Sequence, residues 1–377
     1  MNDKVFDCGI VGGGLAGLTL AIQLADAGYA VVLFEKETYP YHKVCGEYIS
    51  MESYDFLERL GMPLADMDIP IIDEVQISSP NGKSFIRKLD LGGFGISRYT
   101  LDSTLAGIAK NSGVTLLENT KVTDIIFEND RFIIKTTAQS YLVKTAFGTY
   151  GKRSALDKKL NRESVKPAAK EKNYVGVKYH IQIPFPANRI ELHNFKDGYC
   201  GISKVDGNRY CLCYLTDSKN LKDHNNDIKL MEINVLMKNP FLKKYFTEAL
   251  MLYEQPLTIS QVTFNKKSAV DDHVLMLGDA AGTIAPLCGN GMSMAMHASF
   301  KGFGLTDQYL KGLISRQELE TFYQKEWDRL FSTRIKTGRY IQHLFGKTGL
   351  TNMVISMLKK IPFIADKIIS STHGSKF

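Results

Sequence analysis

A chain of 377 residues with 44% hydrophobic, 23% charged and 10% aromatic content can bury a full core as two domains or one composite domain. That composition excludes collagen-like, low-complexity and wholly disordered chains. The 47 Lys and Arg exceed the 40 Asp and Glu by seven, and residues 334–377 hold the whole excess, because eight basic residues there face only Asp366. Charge gathered at one end, rather than striped over a recognised nucleic-acid-binding fold, argues against nucleic acid as a partner. No apolar run reaches the roughly 18 residues of a membrane span. Asp3, Lys4 and Asp7 interrupt any signal-peptide pattern, so the reading is a folded, cytoplasmic protein.

In chain order, residues 5–11 are a short apolar strand, followed by Gly12-Gly13-Gly14-Leu15-Ala16-Gly17 and a helix to about Ala27. Gly28 caps that helix, and a second apolar strand, residues 29–34, ends at Glu35. Residues 71–96 read as strands about an Asn81-Gly82 hairpin turn. Residues 98–110 read as a helix, with Leu101, Leu105, Ile108 and Ala109 at helical spacing and Gly113 just beyond. Strands follow at 114–117, 122–127 and 132–136. Residues 152–172 are a polar, basic connector that reads as a domain boundary. Strands return at 176–183, 189–193, 199–204 and 209–215, then a helix at 227–237. A buried strand at 273–277 leads into Gly278-Asp279-Ala280-Ala281-Gly282, a long helix over 291–310, and a second helix from Ser315 into the basic tail.

The six cysteines, Cys8, Cys45, Cys200, Cys211, Cys213 and Cys288, form no CxxC pair and no disulfide framework. Cys211 and Cys213 alternate on one strand and face one side, with too few neighbouring ligands for a metal. Packed, reduced thiols are the expectation, and no metal is assigned.

Chemistry concentrates in two glycine turns. Gly12-x-Gly14-x-x-Gly17 follows a strand and opens a helix, so its backbone can approach a pyrophosphate beneath the positive end of the helix dipole. Glu35 stands at the end of the next strand, where a carboxylate accepts hydrogen bonds from a ribose diol. The second turn, Gly289-Asn290-Gly291-Met292, opens another helix beyond Asp279. A strand-end carboxylate and a second helix start suit a ribityl chain and the electron-rich edge of a flavin, which NAD alone does not require.

The glycine turn, Glu35, Arg98 opening a helix and the Gly278-Asp279 run together resemble the FAD-dependent hydroxylase superfamily, of the p-hydroxybenzoate hydroxylase kind. Within it, Pro40-x-x-Lys43-x-Cys45-Gly46 looks most like the geranylgeranyl reductase family. The resemblance covers about half the chain. It implies an α/β fold: a Rossmann-type, three-layer FAD-binding domain from residues 1–70, 98–173 and 264–349, and a mostly antiparallel sheet substrate domain from 71–97 and 174–263. Residues 350–377 remain as a basic amphipathic segment. It further implies FAD contacts from Gly12, Gly14, Leu15, Ala16, Gly17, Glu35, Lys36, Lys43, Gly46, Arg98, Val122, Asp279, Gly289, Asn290, Gly291 and Met292. Arg98 is expected on the phosphates, Val122 at the adenine, and the Cys45-Gly46 loop beside the isoalloxazine.

Cys45 and Glu47 are the catalytic candidates, a thiol and a carboxylic acid able to tune the ring or move a proton. Tyr150 stands where the superfamily often has an Asp that touches FAD and the incoming nicotinamide nucleotide, so NAD(P)H or another compound is left open as electron donor. The chain's one tryptophan, Trp327, rules out the Trp-x-Trp-x-Ile-Pro signature of flavin halogenases. The expected reaction is reduction of carbon–carbon double bonds in an apolar, isoprenoid-like substrate. The alternatives are hydroxylation of an aromatic or polyketide-like compound, and a flavin-bound electron relay or carrier-protein partner. For the tail, apolar residues interleaved with Lys359, Lys360 and Lys367 suit either packing on the domain or an anionic membrane surface or acidic carrier protein.

Overall fold

The structure, a computed structural model, describes residues 5–152, 154–160, 162, 173–262, 267–283, 289–344, 347–361, 363 and 374–377. Two sheets organise it. In the first, the apolar strand Val5–Val11 pairs in parallel with Val31–Phe34 on one side and Ser140–Gly148 on the other. Thr115–Leu117 and Val274–Met276 extend it in parallel at either flank. Every residue of Val31–Phe34 is buried, as a parallel strand covered on both faces requires. An antiparallel pair, Val122–Glu128 with Arg131–Thr136, hangs from Ser140–Gly148.

The helices Leu15–Asp26 and Gly291–Leu310 lie side by side under this sheet, bridged by Thr19 Oγ1 and Ser299 Oγ at 2.7 Å. Gly278 lets their first turns meet: a Cβ there would touch the Cβ atoms of Ala295 and Ala16 at 3.3 and 3.5 Å.

The second sheet has nine strands and collects both expected pieces of the substrate domain. Tyr174–Gln182, Tyr210–Asp217, Gly198–Lys204 and Arg189–Phe195 run antiparallel in that order. Arg189–Phe195 then joins Ile71–Ser78 in parallel. The hairpin partner Ser84–Gly95 carries Tyr48–Ser50 on its outer side. The fold is therefore the two-sheet α/β architecture that the resemblance implies.

Several elements differ from the sequence expectation. The strand Ser140–Gly148, central to the first sheet, was not anticipated, nor were Tyr48–Ser50 and Leu257–Val262. The single helix expected over 227–237 is Ile228–Asn234 followed by a 3-10 turn, Leu236–Lys238. A further helix, Pro240–Glu248, starts where the Asn239 side chain accepts the Phe241 N–H and proline occupies the first turn. Within the basic connector Arg162 is buried against Asp157 and Asp271, each 2.9 Å away. Most of that connector, including Arg153 and Pro167, lies outside the described residues.

The second tail helix runs Arg316–Leu344, and a third, Thr348–Lys360, packs Ile355 and Leu358 onto Phe85 of the second sheet. Phe377 lies among Phe56, His297 and Phe300, parallel to the His297 ring at 4.2 Å.

Candidate functional site

Gly12 has φ +114°, and a Cβ there would lie 2.6 Å from the Thr149 carbonyl oxygen. Only glycine fits that close approach. Gly17 is equally fixed, because a Cβ would run into the Gly12 carbonyl. Gly14, by contrast, caps the helix Leu15–Asp26 with no side-chain hydrogen bond, and a Cβ on it would meet nothing within 4 Å. A helix N-terminus thus opens onto free space with its N–H groups uncapped, which is the chemistry an anion requires. Leu15 and Ala16 are buried in that first turn. Glu35, also buried, accepts the Gly13 N–H at 2.8 Å and the Glu37 N–H at 3.0 Å. Its carboxylate is thereby fixed at the rim of the turn. The Tyr39 hydroxyl donates to the Gly13 carbonyl. Lys36 is exposed and pairs with Glu37 at 3.5 Å, and Val122 is buried at the start of its strand.

The second helix start mirrors the first. Asn290 stands at the start of Gly291–Leu310 with no side-chain capping bond to the helix, and the Ser293 hydroxyl in its first turn is buried with no partner among the described residues. Gly289 has φ +65°, where the Tyr48 ring would obstruct a Cβ. Asp279 is part-exposed beside this start, with the Lys152 ammonium 3.9 Å away. Residues 284–288, including Cys288, lie outside the described residues. Tyr150 points into the protein, its hydroxyl 3.1 Å from Asp157 Oδ1 and 3.5 Å from Met276 Sδ. Its hydroxyl is thereby engaged by the protein's own groups.

The Lys43–Glu47 loop lies between the two turns. Cys45 is part-exposed, with its sulfur 3.6 Å from Met292 Sδ of the second turn, and a Cβ on Gly46 would meet no described residue within 4 Å. The two loops expected to face a flavin ring therefore touch, with free space at Gly46. Arg98 and Lys43 converge on buried Asp102: Arg98 Nε and Nη2 and Lys43 Nζ all lie at 2.8 Å. Burial alone would raise the Asp102 carboxyl, but these two cations hold it below the ordinary carboxylate range.

Glu47 is the most constrained residue of the loop. It has φ +57°, a region that costs a non-glycine residue about 1–3 kcal/mol, and it is fully buried. Its Oε1 accepts the Lys178 ammonium at 2.5 Å and the Arg98 N–H at 2.7 Å, while Oε2 lies 2.6 Å from His180 Nε2. Burial pushes this carboxyl up, yet the His180 hydrogen bond and the Lys178 charge overcome that and hold it below the ordinary range. Burial likewise pulls Lys178 down, but its surroundings, Glu47 among them, keep the ammonium above its ordinary value. Lys178 also donates to the Lys43 carbonyl at 3.1 Å, and the Cys211 thiol donates to that of Cys45 at 3.3 Å. The second sheet thus grips the loop at four oxygens of three residues, the Lys43 and Cys45 carbonyls and both Glu47 carboxylate oxygens. Glu47, His180 and Cys211 also cluster tightly enough to suggest a cation site, but the Lys178 ammonium already balances the carboxylate.

Lys178 and His180 were missed in the sequence. The available signal was a Lys and a His at alternate positions of an otherwise apolar strand, sharing the face of Cys211 and Cys213. Next to them, His42 stacks on Tyr99 and meets the rings of His180 and Tyr253 edge-on.

Residues 10–40 match the NAD(P)-binding Rossmann-like domain. The whole chain is 26% identical to conditioned medium factor receptor 1 of Dictyostelium discoideum, over 76% of that protein. It is 23% identical to digeranylgeranylglycerophospholipid reductase of Methanococcus vannielii, covering 86% of this chain and 83% of the relative. Among solved structures, the flavin-dependent brominase Bmp2 superposes with a TM-score of 0.77 at 18% identity, covering 98% of this chain and 93% of that one. A probable FAD-dependent monooxygenase of Pseudomonas aeruginosa, pqsL, superposes at 0.75 with 14% identity, over 94% of this chain and all of that one. At these identities the likeness to the solved structures is one of fold, the two-sheet α/β architecture described above.

Proposed function

We propose that the chain uses FAD to reduce carbon–carbon double bonds in an apolar, isoprenoid-like substrate. The carrying observation is the Cys45-Gly46-Glu47 loop, packed on Met292 and held from the substrate sheet by Lys178. A reductase among the relatives, acting on a lipid by its name, supports this reading. The residues fit FAD: two helix N-termini without side-chain caps meet at Gly278, and among the described residues the Gly14 and Gly46 positions face no neighbour within 4 Å and the Ser293 hydroxyl is buried without a partner. FAD held there supplies reversible two-electron transfer. Gly12 and Gly17 let the backbone reach the pyrophosphate, Glu35 takes a ribose hydroxyl, and Asp279 takes a ribityl hydroxyl. Arg98 brings positive charge near the phosphates while Asp102 fixes its guanidinium. The Glu47–Lys178–His180 group keeps the Cys45 thiol in one position, where it can lend or take a proton.

The hydroxylase reading is favoured by the close fit of the pqsL fold. Anaerobically reduced protein separates the two. A reductase is reoxidised by an isoprenoid alkene without oxygen, whereas a hydroxylase consumes oxygen in proportion to an aromatic substrate. Reoxidation only by a protein or dye acceptor would favour an electron relay.

A further inference from the structure

The basic tail carries a second surface that the flavin site does not use. Helix Thr348–Lys360 turns Ile355 and Leu358 inward onto Phe85. Its opposite face presents Met353 and Met357, one turn apart and 65% and 44% exposed, with Lys360 in line with them. Beyond the helix, Ile361 and Phe363 are 43% and 73% exposed. Lys347, Lys359 and Lys360 are exposed around this apolar face, and residues 334–363 contain no Asp or Glu. Keeping these large apolar side chains in solvent contact serves no folding purpose here, because the inward face already anchors the helix.

We infer that this face docks flat on an anionic lipid bilayer. Met, Ile and Phe enter the acyl boundary while the lysines stay at the headgroups. Charge complementarity commits the face to an anionic surface. The exposed apolar side chains Met353, Met357, Ile361 and Phe363, interleaved with Lys359 and Lys360, favour a fluid lipid surface over a folded acidic protein, because a bilayer takes both the apolar and the cationic side chains without a matched shape. This inference stands apart from the reaction proposed above. Among the described residues no helix is long and apolar enough to cross a membrane, so the contact is peripheral.

The test uses the full-length, FAD-loaded protein and vesicles of phosphatidylcholine alone or mixed with phosphatidylglycerol. Surface substitutions are preferable to truncation, which would also strip Ile355 from Phe85 and Phe377 from its aromatic pocket. The expected result is sedimentation with the mixed vesicles only, released by salt. Lys359→Gln with Lys360→Gln should weaken partition about 25-fold, roughly fivefold for each lysine near an anionic surface. Met353→Ser with Met357→Ser should abolish sedimentation with the mixed vesicles even at low salt. Flavin absorbance retained in both variants shows that the flavin site is intact and separates this test from that of the reaction. Equal partition to both vesicle types, or unchanged binding in both variants, would overturn the inference. So would capture of the wild type by immobilised polyglutamate with no binding to mixed vesicles.

Discussion

Replacing Lys178 with Met keeps the aliphatic stem and removes the ammonium that lies 2.5 Å from Glu47, in a pair with 1% and 0% side-chain exposure. Breaking a buried pair from one side costs about 3–5 kcal/mol, because the other charge stays buried. Glu47 keeps the Arg98 N–H and His180 as partners, so the lower end, about 3 kcal/mol, is expected. In the double variant Lys178→Met/Glu47→Gln neither charge remains, and the loss should fall short of the sum of the singles by about 2 kcal/mol, within the range of coupled neighbours.

The pH dependence has a definite sign. Glu47 ionises below its ordinary value when folded, so its stabilisation is present above about pH 4.3 and is lost as pH falls through the folded value. Lys178 is held above its ordinary value, so its share is present below about pH 10.4 and is lost as pH rises through the folded value. Lys178→Met should therefore move the acid-side loss to higher pH. Urea unfolding of the FAD-loaded proteins from acidic to alkaline pH measures each quantity. A wild-type midpoint in Lys178→Met, or strict additivity in the double variant, would refute the claim that this pair holds the loop.

Asp279→Ala should weaken FAD retention by about 0.5–1.5 kcal/mol, read from the flavin released on dilution. Gly17→Ala should abolish FAD binding, because its Cβ meets the Gly12 carbonyl; flavin retained at wild-type stoichiometry would contradict the tight-turn argument. Cys45→Ala and Cys45→Ser should both keep FAD and both alter turnover, and wild-type rates in the two would assign the thiol to packing alone. Burial, with Lys301, Arg334 and Arg329 nearby, pulls the His297 imidazole down to about 4. Its stabilising share therefore fades as pH falls from about 6.5 towards that value, and His297→Phe should flatten this part of the acid-unfolding curve.

The parts of the site legible in sequence were those whose chemistry is local. Gly12, Gly14 and Gly17 are dictated by a turn of six residues, and the Gly291–Leu310 helix ends where its pattern ends. The Asn81-Gly82 turn likewise joins Ile71–Ser78 to Ser84–Gly95 as read. What escaped depends on distant partners. Lys178 meets Glu47 across 131 residues of sequence, and nothing near either one announces the other. The strand Ser140–Gly148 was hidden by Lys144 and Thr145: Lys144 is exposed, on the rim beside Asp7 at 2.8 Å, whereas Thr145 is buried and donates to the Asp7 carbonyl. Arg162 misled in the same way, since its basic neighbours concealed a buried guanidinium with two carboxylate partners.

The central claim, that the two glycine turns hold FAD, is tested most directly by the absorbance spectrum of the purified protein together with the mass of the cofactor released on denaturation. The account predicts a yellow protein whose released cofactor is FAD, near one per chain, and neither FMN nor NAD. A colourless protein that takes up no added FAD would contradict it.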